Sequence, residues 1–280
     1  MDIFVCPLTV VCMSQEHQLK QSVAEYWNDQ PCGTQFSDKE KYTKEYFDEV
    51  EQHKYAIESS IFSFAQFSRF HGKKVLEVGV GAGSDFVQWV RSGAIATGID
   101  LTQEGIEHVR HRLDVYGLKA EQLVVGDCEN LPFADNSFDL VYSSGVIHHT
   151  PDTEKALREI IRVCKPGGTC KVMIYHRHSL EAFFFWVQKA LLRGKPWKSF
   201  AWSLYHFMES PGTKAYTKKE VYEMLRGQPV QNVRVWTVLT YYDLLKRFNS
   251  LYRSFASFLA YILGGDRVGW FLNIEFTKKK

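Results

Sequence analysis

The run VLEVGVGAGSD, Val75 to Asp85, carries apolar strand-type residues into three glycines at alternate positions, Gly79, Gly81 and Gly83. Without a Cβ, such a loop lets the backbone come close to a nucleotide. NAD and S-adenosylmethionine sites both begin this way, so hydride transfer and methyl transfer are both open. The spacing is GxGxG, and in the dinucleotide fingerprint the third glycine falls at position 84, here Ser84. Asp100 closes AIATGID and could hold ribose hydroxyls for either cofactor. Asp127 closes VVGD, where a carboxylate or the adjoining amides could read an adenine amino edge.

Histidines are the candidates for proton transfer. His148 and His149 stand in SSGVIHHTPD, and His176 and His178 follow the next apolar run. In SLYHFMESPGT, Tyr205, His206 and Glu209 form a third group, with His206 and Glu209 spaced to share a helix face. Each has a plainer reading as a pocket-shaping residue, a polar strand exit or a surface pair. No carboxylates at ligand spacing accompany them, so no metal site is expected.

These residues need a frame. From 73 to 176, near-continuous apolar strands (KKVLEVGV, AIATGID, QLVVGD, FDLVYSSG, GTCKVMIYH) alternate with amphipathic helices, the pattern of a parallel sheet covered on both faces. Residues 14–70 read as helices, with Leu19, Val23, Tyr26 and Trp27 on one face and Tyr46, Val50, Ile57 and Ile61 on another. Ser37 with Glu40 has the spacing of a capping box. Past residue 179 come two helices, the second with Thr217 as its cap, then the strands VQNVRVWTVLT and WFLNIEFT. An aromatic helical insertion over 241–265 separates those strands.

Lys and Arg total 34 against 32 Asp and Glu, which gives no reason to expect nucleic acid. The six cysteines include no CxxC pair and suit reduced thiols in the cytoplasm. MDIFVCPLTVVCM is apolar, but too short to span a bilayer and without a basic start. Residues 1–13 are therefore expected to be a non-native or disordered extension.

Taken in order, VLEVGVGAG, GID, GDCENLPFADNSFDLVYS, GVIHHTPD and CKPGG resemble the successive motifs of class I S-adenosylmethionine-dependent methyltransferases, nearest the ubiquinone/menaquinone methylase-like small-molecule branch. The resemblance covers roughly residues 73–176. It implies a Rossmann-like, seven-stranded, mostly parallel sheet with helices on both faces. A cap over 14–70, a cofactor core over 71–178 and a C-terminal part over 179–280 would complete it, with acceptor-site helices at 179–226 and 241–265. In the roles it implies, Gly79, Gly81 and Gly83 pack against the cofactor's methionine part, while Glu77 orders the loop and the cofactor ammonium. Asp100 accepts the ribose hydroxyls and Leu101 packs on adenine. Asp127, Cys128 and Glu129 bracket the adenine edge, and Ser143, Ser144, Gly145 and His148 lie beside the methionine carboxyl and methyl groups. Tyr26 and Trp27 fold over the cofactor.

The activity so implied is methyl transfer to a small-molecule acceptor at O, N, S or C, with S-adenosylhomocysteine released. The alternatives are a cofactor-binding regulator without chemistry and a membrane-peripheral lipid or quinone methylase. SSGVIHH stands where a nucleic-acid methylase carries an NPPY-type motif, so no nucleic-acid partner is expected. Membrane association is possible but not expected, and the chain is read as a monomer or homodimer.

Overall fold

The computed structural model describes residues 7–29, 31 and 33–280. Three helices come first: α1 (Pro7–Asp29), α2 (Lys44–Ile57) and α3 (Ser60–Ala65). Residue 13 is not an element boundary, because α1 runs through it, and residues 1–6 of the expected extension lie outside the described residues. The cap of α2 is Thr43, whose hydroxyl accepts from the Tyr46 N–H at 3.3 Å. Ser37 is not a cap: its hydroxyl donates to the Glu49 carboxylate at 2.5 Å.

The following strands are β1 (Lys74–Val78), β2 (Ile95–Asp100), β3 (Gln122–Val125), β4 (Phe138–Ser144), β5 (Cys164–Tyr175), β6 (Val230–Val238) and β7 (Phe271–Lys278). They form one sheet in the order β3-β2-β1-β4-β5-β7-β6, with only β7 antiparallel to its neighbours. The CKPGG segment, which overlaps the start of the expected fifth strand GTCKVMIYH, is already part of β5, whose register with β4 shifts between Phe138 and Leu140. Order reverses between β1 and β4, so a crevice opens beyond their carboxyl ends, the usual ligand position of open α/β sheets.

Both sheet faces are buried, which explains the apolar strands. On one face α4 (Ser84–Arg91) and α5 (Gln103–Tyr116) contribute Phe86, Trp89, Ile106 and Val109, joined by Phe64 and Phe70. On the other, α6 (Thr153–Val163) supplies Leu157, Ile160 and Ile161. Arg112 of α5, fully buried, donates to the Ala82 carbonyl and the Ser84 hydroxyl at 2.9 Å and pairs with Glu51 of α2 at 2.7 Å. That one guanidinium fastens the N-terminal helices to the glycine loop.

The C-terminal part adds α7 (Leu180–Lys189), α8 (Phe200–Phe207) and α9 (Lys218–Met224), the last closed by a full Thr217/Glu220 capping box. Between β6 and β7 lie α10 (Ser250–Leu263) and α11 (Gly265–Val268). Buried Asp243 anchors this insertion by accepting from the Thr240 N–H at 2.9 Å, the Trp270 N–H at 2.7 Å and the Glu181 N–H at 3.1 Å. Among the described residues, no helix is long and apolar enough to cross a membrane.

Candidate active site

At the carboxyl end of β1 the chain turns through Gly79, Gly81 and Gly83, whose φ values are 79°, 48° and 75°. All three occupy the left-handed region that disfavours side chains, but for different further reasons. A Cβ on Gly79 would lie 2.3 Å from Val146, and one on Gly83 would lie 2.9 Å from Val109. A Cβ on Gly81 would meet no protein atom within 4 Å and would stand in the cavity instead. The protein's own packing thus accounts for Gly79 and Gly83, and only Gly81 keeps room for a ligand.

The Gly81 N–H donates to Asp100 Oδ2 at 2.9 Å, while the Thr102 N–H and hydroxyl donate to Oδ1 at 2.9 and 2.7 Å. The Asp100 carboxylate is thereby fixed at the end of β2 with Leu101 beside it, both lining a cavity of about 570 Å³. Asp127, beyond β3, also lines it. Its Oδ2 is 2.6 Å from Lys20 Nζ of α1, which also holds Glu129 Oε2 at 2.7 Å. Glu129 Oε1 accepts from the Thr150 hydroxyl and from the Asp152 N–H at 2.8 Å, and its carboxyl does not line the cavity. Burial raises the Glu129 carboxyl, but Lys20, Thr150 and Asp152 outweigh it and hold the group below its ordinary value. Glu129 therefore braces two loops and α1.

Under the glycine loop Glu77 is buried, with Oε2 lacking a protein partner; burial and then the nearby Asp85 charge push its carboxyl well above the ordinary range. Asp85 accepts from Tyr55 and Tyr142 at 3.0 Å and pairs with Lys54 at 3.2 Å. Burial pushes Glu58, on the same wall, up to about 7. Across the whole lining stand seven carboxyl groups (Glu58, Glu77, Asp85, Asp100, Asp127, Glu181, Glu209) and four cations (Lys20, Lys54, Lys189, Arg247), with burial favouring the neutral form of the four glutamates.

At the far end, Tyr175 closes β5 and donates to the Glu209 carboxylate at 3.0 Å, while stacking on Trp270 at 4.2 Å. His149 Nε2 lies 3.5 Å from Glu209 Oε2. Thr213 donates to the Ser210 carbonyl at 2.7 Å, and His149 Nδ1 lies 3.0 Å from the Thr213 hydroxyl and 2.9 Å from the Ser210 hydroxyl. Two hydroxyls thus hold Nδ1 and turn Nε2 toward the Glu209 carboxylate. Burial raises the Glu209 carboxyl and lowers the His149 ring to about 3. The arrangement can take up a proton inside a largely apolar chamber walled by Met173, Phe185, Met208, Tyr242 and Phe271.

The structure thus gathers Trp27, Glu77, the three glycines, Asp100, Leu101, Asp127, Cys128, Ser144, Gly145, His149 and Glu209 around one cavity. Burial pushes the Cys128 thiol up to about 12, which keeps it unreactive. Others are placed elsewhere. Tyr26 is exposed and packs edge-on against Trp27 at 4.9 Å. Ser143 donates to the Val78 carbonyl at 3.1 Å, inside the sheet. His148 is fully buried with neither ring nitrogen partnered, packed on Tyr175 at 4.0 Å behind the cavity wall. His176 approaches the Gly269 carbonyl at 3.2 Å. His206 lies on the outer side of α8, its Nδ1 2.8 Å from the Trp202 carbonyl. It does not share a helix face with Glu209, because α8 ends at Phe207 and Glu209 turns inward at φ 45°. Among the described residues, no group of three His, Cys, Asp or Glu is placed to hold a metal ion.

Sequence reasoning missed Lys20, Lys54, Glu58, Asp85, Tyr175 and Arg247. Lys20 had a signal: with Val23 and Trp27 it sits at helical spacing on one face of α1.

Residues 76–172 match the model of a methyltransferase domain family. The chain carries a class I S-adenosylmethionine-dependent methyltransferase domain. The domain is 42% identical over 99 residues to the phthiotriol/phenolphthiotriol dimycocerosates methyltransferase of Mycobacterium tuberculosis, covering 35% of this chain and 36% of that protein. It is 35% identical over 125 residues to the demethylmenaquinone methyltransferase of Corynebacterium kroppenstedtii, covering 45% and 52%. The matched region thus spans about a third to a half of these relatives. In three dimensions the methyltransferase domain and its flanks resemble the phosphoethanolamine N-methyltransferase 2 of Haemonchus contortus in complex with S-adenosyl-L-methionine. The TM-score is 0.52 at 19% identity, over 84% of this chain and 60% of that one.

Proposed function

We propose that the whole chain transfers the methyl group of S-adenosylmethionine to a small-molecule acceptor, with Glu209 as the proton acceptor for a hydroxyl or amine nucleophile. The observation that carries this reading is the single cavity, which runs from the Gly81–Asp100–Asp127 end to the Tyr175–Glu209–His149 end. The open space over Gly81 supports the donor, a molecule that carries a sulfonium and an ammonium. Glu77 Oε2, buried and without a protein partner, suits that ammonium.

When bound, the cofactor supplies an electrophilic methyl group, and the chain supplies alignment, desolvation and a base. Asp100 and Asp127 hold the nucleoside at two strand ends, and Gly81 gives it room. Tyr175, stacked on Trp270, and His149, held by Thr213, fix the Glu209 carboxylate from two sides. The acceptor's proton goes to Glu209 as its nucleophile attacks, with Tyr175 and His149 holding that carboxylate in place. Both curated relatives are named for methyl transfer, which supports the activity.

The test is calorimetry with S-adenosylmethionine and with NAD, followed by incubation of the protein with labelled methyl donor and cell extract. Binding of S-adenosylmethionine with label appearing in a small molecule is the expected result. Tight binding without turnover across extracts would leave a cofactor-binding regulator.

A further inference from the structure

We propose that the outer face of α10, with the segment 182–208, docks on an anionic lipid surface and presents the acceptor end of the cavity to it. The docking stands on surface composition alone, while the orientation of the cavity rests on the functional reading above.

Leu251, Phe255, Phe258 and Ile262 follow one another at helical spacing along α10, and they are 74%, 51%, 59% and 61% exposed. The opposite stripe, Ala256 and Ala260, is buried against the domain. The helix therefore packs through small residues and turns its large apolar ones outward, the reverse of a surface helix on a soluble protein. Leu192 and Trp197, in the other segment, are also exposed.

Charge names the occupant. Residues 182–208 and 244–265 hold seven of the 34 Lys and Arg and none of the 32 Asp and Glu. Near-neutral overall composition hides this, since acids outnumber bases across the rest of the chain. A second copy seated face to face would set like charges against like. A nucleic acid would gain nothing from the uncharged stripe. Apolar side chains set among Lys and Arg, of which Arg247 is paired with Glu181 at 3.1 Å, match the headgroup boundary of an anionic bilayer. No described helix can cross a membrane, so the chain would lie on the surface. Phe185 and Lys189 from one segment and Arg247 and Phe248 from the other also line the cavity, so docking would bring its acceptor end to the lipid.

The full chain should be sedimented with phosphatidylcholine vesicles and with vesicles containing phosphatidylglycerol, at low and high salt. Expected is binding to the anionic vesicles about tenfold or more above the neutral ones, weakened by salt. F255S/F258S should lose about tenfold of it. R193Q/K195Q/K198Q should reduce the preference for anionic vesicles severalfold, since Lys189, Lys246 and Arg253 remain. Calorimetric binding of S-adenosylmethionine by each variant verifies folding, as none of these residues lines the cavity. The proposal is overturned if the wild type ignores both vesicle types, or binds them equally at any salt. It is also overturned if sedimentation velocity shows a dimer that F255S/F258S splits. Vesicle binding by a protein that fails to bind S-adenosylmethionine would refute the cofactor reading and leave the docking intact.

Discussion

Nε2 of His149 lies 3.5 Å from Oε2 of Glu209, with the histidine's other nitrogen tied to Thr213 and the carboxylate also held by Tyr175. The Glu209 carboxylate, held from two sides and open to the cavity, is placed to accept a proton. If Glu209 is the base, Glu209→Gln lowers the methyl-transfer rate by roughly 10²- to 10⁴-fold, the usual worth of a positioned base. Its affinity for S-adenosylmethionine, measured by calorimetry, should change by less than about twofold. A loss of affinity as large as the loss of rate would place Glu209 in cofactor binding instead.

The same group sets the pH dependence. Burial raises the Glu209 carboxyl above its ordinary value, with the Tyr175 hydrogen bond opposing. Activity needs the ionised form, so the rate should rise with pH through that raised value, and Glu209→Gln should flatten this limb. His149, lowered to about 3, adds no titration near neutrality. A wild-type acid limb at the value of an exposed carboxyl, or one that survives in Glu209→Gln, would argue against this assignment.

Two adjacent glycine substitutions should separate fold from ligand. Gly79→Ala forces a Cβ to within 2.3 Å of Val146 at φ 79°, so it should unfold at markedly lower urea. Gly81→Ala meets no protein atom, and the left-handed backbone costs only about 1–2 kcal/mol. Its main effect should be on S-adenosylmethionine affinity, lowered about tenfold or more by a methyl group standing in the cavity. Equal effects on stability and binding in both variants would refute the distinction.

What was legible in the sequence is what a strand and its following loop carry locally. The glycine turn and the acids at the ends of β2 and β3 could be located because strand, loop and helix repeat in a fixed rhythm. Contacts between distant segments could not. Tyr175 reads as one more apolar strand residue until Glu209 folds over it. His148 and His149 are neighbours in the chain, yet the turn after β4 sends one behind Tyr175 and the other to Glu209. The expected His206–Glu209 face fails because α8 stops two residues before Glu209, at Phe207. Summing charge over the chain likewise concealed the two acid-free segments.

Lys20 joins α1 to the cofactor end, so Lys20→Met should leave Asp127 and Glu129 as neighbouring carboxylates with no cation between them. With the ion pairs that hold it lost, α1 would come away from this loop, and its amides should exchange hydrogen faster while those of β1 and β4 do not. Affinity for S-adenosylmethionine should fall about three- to tenfold, as one cavity wall is lost. Acid should mimic the change: Glu129 is held below its ordinary value in the folded state, so its contribution is present above that ordinary value and is lost as pH falls through the lowered one. Unchanged exchange in α1 would show that Lys20 does not fasten it.

Asp243 offers the last test, because it connects fold to acceptor site. Its carboxylate accepts from the N–H groups of Thr240, Trp270 and Glu181, joining the end of β6, the start of β7 and the first turn of α7. Asp243→Asn turns an NH₂ toward at least one of those N–H groups, and a buried donor without an acceptor costs about 3 kcal/mol next to a charged site. For a chain of this size that lowers Tm by roughly 6–12 °C. The acceptor end should suffer before the cofactor end: Arg247, four residues on, pairs with Glu181 at 3.1 Å across the same cavity. The variant should therefore show a raised KM for the acceptor at temperatures where S-adenosylmethionine affinity is unchanged. If both affinities fall together, or Tm does not move, Asp243 is not the anchor of the insertion.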